Sequence, residues 1–175
     1  MDLTFSSDAV VVVAGVPGAG KTTLIRRAVD RDVARVVDTD DRREAGARRF
    51  LNVRHYGAIV AAVAGRRPVV IHSRGTHPAA RRAIAALAAL RGRPAHLVML
   101  DAEPAEAVAG QRARGRTVDP SEMDRQLARW RRLMARRPRR EGWASVIVVD
   151  REQAARTDGF AFPSTVEAPL AAATI

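Results

Sequence analysis

Five short apolar runs punctuate the chain, each of strand length and none long enough to be a buried helix. Ala9-Val10-Val11-Val12-Val13-Ala14 is continuous and β-branched, the pattern of a strand covered on both faces. The other runs are Ala34–Val37, Pro68–Ile71, Ala95–Leu100 and Ser145–Val149. Between them the pattern predicts helices over about 21–31, 41–65, 78–91, 104–113 and 120–137. Pro78 and Pro104 suit first helical turns, where the missing N–H costs nothing. Asp119-Pro120-Ser121-Glu122 offers an N-cap, a proline at the first helical position and an acid in the opening turn. Met123, Leu127, Trp130 and Met134 then fall on one helical stripe, which reads as core packing. Alternating strand and helix patterns imply βαβ units and a mostly parallel sheet covered on both faces.

The junction of the first strand and first helix carries the most specific signal. Gly15-Val16-Pro17-Gly18-Ala19-Gly20-Lys21-Thr22-Thr23 fits G-x-x-x-x-G-K-[ST], a phosphate-binding loop, in the strand–loop–helix context the chemistry needs. Glycines allow backbone angles that turn successive N–H groups inward around an anion. The helix adds its positive end. Lys21 can reach the β- and γ-phosphates of a nucleoside triphosphate, and the Thr22 hydroxyl can hold Mg²⁺.

Composition sharpens this. Of 30 basic residues 29 are arginine, and Lys21 is the only lysine. A compact ammonium fits inside such a loop where a planar guanidinium does not. The same count excludes the Asn-Lys-x-Asp segment with which a regulatory GTPase reads guanine. The net charge of +11 points to an anionic partner and leaves nucleic acid open, although 4% aromatic residues weigh against a single-strand binder. Without cysteine there is no disulfide framework, thiolate metal site or cysteine nucleophile. Acid near the amino terminus and the lack of an 18-residue apolar run predict a soluble, cytoplasmic protein without membrane partners. At 175 residues the chain fits one domain over 1–162. From Pro163 the periodicity stops, predicting a tail over 163–175.

Acids at strand ends supply candidate catalytic groups, because strand ends face the ligand crevice in this architecture. The second strand leads into Val37-Asp38-Thr39-Asp40-Asp41-Arg42-Arg43, where Arg43 lies one helical turn beyond Asp40. A carboxylate there can orient an acceptor hydroxyl and take its proton. Arg54-His55-Tyr56 follows in the long segment after that strand. His72 and His77 lack acids at zinc-ligand spacing. Arg151, at the last strand end, can lie against an adenine face or form an ion pair. From Gln111 to Arg140, eleven arginines face three acids, a density that calls for an anion nearby.

These features together resemble polynucleotide 5′-hydroxyl kinases. They are the phosphate loop, Asp-x-x-Arg at 40–43, Val69-Val70-Ile71-His72-Ser73-Arg74-Gly75-Thr76-His77-Pro78, and Gln111-Arg112-Ala113-Arg114-Gly115-Arg116. Zeta-toxin-type sugar-nucleotide kinases and chloramphenicol-type O-phosphotransferases, all small AAA-type ATP-binding kinases, are similar in plan. The resemblance covers roughly residues 9–135. It implies Asp40 as general base, Arg43 as a holder of the acceptor, and Arg114 as a lid arginine on the transferring phosphoryl. One departure is Ser73, which stands where polynucleotide kinases carry an acid. The reading is therefore a P-loop NTPase fold, α/β, with five parallel strands in the order 2-3-1-4-5 and a short basic lid over about 111–140. Its expected activity is transfer of the γ-phosphoryl of ATP, with Mg²⁺, to a hydroxyl of a small-molecule or sugar-nucleotide acceptor. A polynucleotide 5′-kinase and a non-catalytic nucleotide switch are the alternatives.

Overall fold

A computed structural model describes residues 2–38, 48–113, 115, 119–136, 138 and 141–163. Its elements are β1 (Leu3–Thr4), β2 (Val10–Gly15), α1 (Lys21–Ala28), β3 (Arg35–Val37), α2 (Arg48–Ala64), β4 (Val69–Ser73) and α3 (Pro78–Leu90), then β5 (Ala95–Leu100), α4 (Pro104–Arg112), α5 (Pro120–Arg136), β6 (Ser145–Val149), α6 (Arg151–Arg156) and β7 (Phe160–Ala161). The five longer strands are parallel and ordered β3-β4-β2-β5-β6. That is the 2-3-1-4-5 order the sequence predicts, with the two-residue strands left out of the count.

The all-apolar β2 runs down the middle because both its faces are covered. Val10 to Ala14 expose no surface, and Val12 pairs with Ile71 on one side and Leu97 on the other. The chain moves from β2 outward to β3, then back to β4 and across to β5. Right-handed crossovers place helices from these opposite movements on opposite faces. Accordingly α1 packs on β2 and β4, while α2 and α3 pack against each other on the other side. On α5, Met123, Leu127 and Trp130 are buried and Met134 is half-buried, so the stripe does pack into the core.

Differences from expectation are local. Helix α1 stops at Ala28 because Val29 is extended and the Asp30 carboxylate accepts the Asp32 N–H at 2.8 Å, closing a turn. Helix α6 opens on a capping box between Asp150 and Gln153. β1 and β7 form a separate parallel pair, with Phe5 packed on Phe160, Phe162 and His96. No helix among the described residues is long and apolar enough to cross a membrane.

One buried cation ties the lower end of the sheet. Arg93, 3% exposed, precedes β5 and donates to six backbone carbonyls. Those of Ala62, Val63 and Gly65 lie at the end of α2, those of Asp8 and Ala9 before β2, and that of Arg67 before β4. A planar fork of five donors suits this position, whereas an ammonium has only three.

Candidate phosphate-binding site

The loop between β2 and α1 is shaped by two glycines in the left-handed region, Gly18 at φ 87° and Gly20 at φ 92°. Gly20 caps α1 without a side-chain hydrogen bond, and the first turn contains no acid. No carboxylate side chain therefore competes at the positive end of α1, where a helix favours anions. Lys21 is buried and donates from Nζ to the Gly15 carbonyl at 2.8 Å and the Val16 carbonyl at 2.9 Å. The ammonium is held inside the loop's curve. Thr22 is half-buried and Thr23 exposed, each on the first turn of α1. Val16 and Ala19 are buried, and Pro17 is half-buried between them and Gly18.

Helix α4 braces this loop from outside. A Cβ added to Gly18 would collide with the Ala107 carbonyl, and one added to Gly110 would lie 2.5 Å from the Gly18 carbonyl oxygen. Backbone meets backbone, which glycine alone permits on both sides.

The two strand ends beside the loop bring together groups that sequence reasoning kept apart. Asp38 follows β3, and its Oδ1 lies 2.5 Å from His72 Nδ1 on β4, with side chains 5% and 6% exposed. His55 on α2 joins them electrostatically. Burial pushes the His55 imidazole below its ordinary 6.5, His72 pushes the same way, and the Asp38 carboxylate opposes both. The sequence reading places its carboxylate at Asp40 and gives His72 no partner. The missed signal is that Asp38, just past β3, and His72, near the end of β4, sit side by side on neighbouring strands, since Val37 pairs with Ile71. Asp40, Arg43 and Arg114 lie outside the described residues. Arg151 opens α6 with Nε 4.0 Å from the Glu106 carboxylate of α4 and Nη1 3.5 Å from the Glu106 carbonyl.

Ser73, where an acid is expected, accepts the Gly75 N–H on its Oγ at 3.1 Å and so shapes the loop after β4. Among the described residues no group of three His, Cys, Asp or Glu side chains is arranged for a metal ion. The donor set at the phosphate loop nonetheless fits Mg²⁺, which keeps most of its waters and needs only one or two protein oxygens beside nucleotide phosphates. Thr22 supplies one.

A parallel sheet in this order, with a glycine-rich loop and buried lysine at the end of its central strand, defines a P-loop NTPase fold. The chain belongs to the AAA_33 family, described as an AAA domain, whose model matches residues 10–139. Among curated proteins, no match is found. Solved structures with the same fold include a component of the PezAT chromosomal toxin–antitoxin system of Streptococcus pneumoniae, at 14% identity and a TM-score of 0.64 over 95% of this chain and 83% of that one. A gluconokinase from Sinorhizobium meliloti matches at 19% identity and TM-score 0.57, covering 87% and 88% of the two chains. Kti12 of Chaetomium thermophilum, in complex with ADP-AlF3, matches at 18% and 0.51, covering 85% and 94%. At these identities the likeness is one of fold.

Proposed function

We propose that this protein is an ATP-dependent phosphotransferase that passes the γ-phosphoryl group to a hydroxyl of a small-molecule or sugar-nucleotide acceptor. The observation that carries the reading is the buried ammonium of Lys21, the chain's only lysine, curled inside a loop of glycine-bounded amides at the start of α1. The gluconokinase and the ADP-AlF3 complex among its structural neighbours agree with it.

In this reading the amides from Gly15 to Thr23 and the Lys21 ammonium hold the triphosphate, and Thr22 Oγ holds Mg²⁺. The metal, when bound, neutralises charge on the β- and γ-phosphates. Asp40 orients the acceptor hydroxyl and takes its proton as the new oxygen–phosphorus bond forms and the bond to the departing ADP breaks. Arg43 holds the acceptor. Arg114, from a lid over about 111–140, stabilises the transferring group, and Arg151 lies toward the base. Most of the rate comes from positioning and charge neutralisation.

A polynucleotide 5′-hydroxyl acceptor is the second reading. It is favoured by Arg125, Arg129, Arg132 and Arg136, which are exposed and share one face of α5. Incubating the protein with γ-labelled ATP, a metabolite extract and 5′-hydroxyl oligonucleotides decides between the two by where the label goes. Lys21→Ala is expected to abolish ATP binding in calorimetry. Asp40→Asn is expected to keep binding and lose at least about 10²-fold in transfer. An Asp40→Asn protein with unchanged turnover removes Asp40 from the role of base.

A further inference from the structure

The loop between β4 and α3 brings another cation to the phosphate loop. Ser73, the last residue of β4, pairs with Ala14, so Arg74 leaves the sheet alongside Gly15, where the phosphate loop begins. Neighbouring strands lie about 4.8 Å apart. An arginine side chain spans that gap with length to spare.

The backbone on the far side of Arg74 is fastened with unusual care. Gly75 has φ +67°, and a Cβ there would collide with that of Ala14, so the loop lies flush against the end of β2. Its carbonyl accepts a hydrogen bond from Arg81 Nη1. Arg81 is 4% exposed and forks onto Glu141, Nε to Oε2 at 2.8 Å and Nη2 to Oε1 at 2.6 Å, while Trp143 Nε1 donates to the same carboxylate at 3.4 Å. On the near side, Ser73 Oγ accepts the Gly75 N–H. A buried ion pair carries a desolvation cost that it seldom repays in stability alone. Here it fixes a turn in which Gly75 and Thr76 are buried and Arg74 projects into solvent. Among the described residues Arg74 forms neither a hydrogen bond nor an ion pair.

A guanidinium is a rigid, always-charged fork whose donors match phosphate oxygens in pairs. During phosphoryl transfer, charge spreads over the three equatorial oxygens of the moving group, and an arginine aimed at them stabilises the transition state. Building on the phosphotransferase reading above, we propose that Arg74 is a further catalytic residue, contacting the γ-phosphoryl oxygens from the β4 side, and that Arg81 and Glu141 are its positioning residues. The site then clamps the transferring group between Lys21 and Arg74.

Calorimetry on the full chain tests this without knowledge of the acceptor. The probes are ADP with Mg²⁺, and the same with aluminium fluoride, which mimics the phosphoryl group in flight. The native protein is expected to bind ADP more tightly when the fluoride is added. Arg74→Ala is expected to lose about 10²-fold or more of that gain, with affinity for ADP alone and the melting temperature unchanged, since among the described residues the Arg74 side chain bonds to no other group. Arg74→Lys is expected to recover only a small part. Arg81→Lys, which keeps the charge and loses the fork, is expected to reduce the gain while leaving ADP affinity intact. A full gain in Arg74→Ala, or no gain in a native protein that binds ADP, overturns the role of Arg74 alone. A native protein that does not bind ADP or ATP at all overturns the phosphotransferase reading itself.

Discussion

Replacing Gly110 with alanine tests whether α4 holds the phosphate loop in shape. The added Cβ would lie 2.5 Å from the Gly18 carbonyl oxygen, against the 3.4 Å where ordinary contact begins, so the two backbones must part by about 0.9 Å. Overpacking of this kind costs roughly 1–3 kcal/mol, while exchanging a helical glycine for alanine returns about 1 kcal/mol. The net change in folding stability is therefore small, about 0–2 kcal/mol of loss. The loop's share is larger in functional terms, because Gly18 sits among the amides proposed to hold the phosphates. Losing one charge-assisted hydrogen bond, about 1.5–3 kcal/mol, weakens ATP binding roughly 10- to 100-fold. Calorimetric titration with ATP and Mg²⁺, beside a thermal melt, reads both quantities. Gly57→Ala is the control, since a Cβ there meets nothing among the described residues within 4 Å; it should bind ATP as the native protein does. A folded Gly110→Ala protein with native ATP affinity would refute the brace.

Two further outcomes concern stability. Arg93→Met leaves the carbonyls of Asp8, Ala62, Val63, Gly65 and Arg67 without their guanidinium donor. The expected loss is about 3–5 kcal/mol, a fall of roughly 10 °C in melting temperature with nucleotide affinity kept, and a shift under 2 °C would show that water replaces the fork. The second concerns pH. Burial depresses the imidazoles of His55 and His96 below their ordinary 6.5, so between that value and their folded values the unfolded chain binds more protons. Their contribution is complete above about 6.5 and is lost as pH falls through the folded values. Denaturant midpoints measured from pH 8 to 5 should decline, and less so in a His55→Asn, His96→Gln double variant; identical slopes would mean these rings are not shielded.

The elements most legible in sequence were those with a strong period or a specific loop. The valine run of β2 follows from burial on two faces and the glycines and lysine after it from phosphate chemistry, while the strand order came with the resemblance those motifs carry, since right-handed crossovers only narrow the topologies. β1 and β7 were not legible, because two residues show no period and their pairing joins positions more than 150 apart in sequence. The same limit hid the Asp38–His72 pair. Each residue lies near the end of a different strand, and only the register of β3 on β4 puts carboxylate against imidazole. Arg81 and Glu141, sixty residues apart, look like ordinary surface charges until the fold buries them together. Arg93 is hidden likewise, since nothing in its neighbours announces that three chain segments end around it. Close backbone approach at Gly110 is invisible in a single sequence, where a glycine late in a helical pattern reads as a weak position.

The solitude of Lys21 makes the protein its own reporter. Every other basic side chain except histidine is a guanidinium, so an acylating reagent aimed at side-chain amines has one target, and that target is shielded by the loop's own carbonyls. Mass spectrometry of the single labelled peptide would follow occupancy of the cradle directly, in the test tube or in a crude extract.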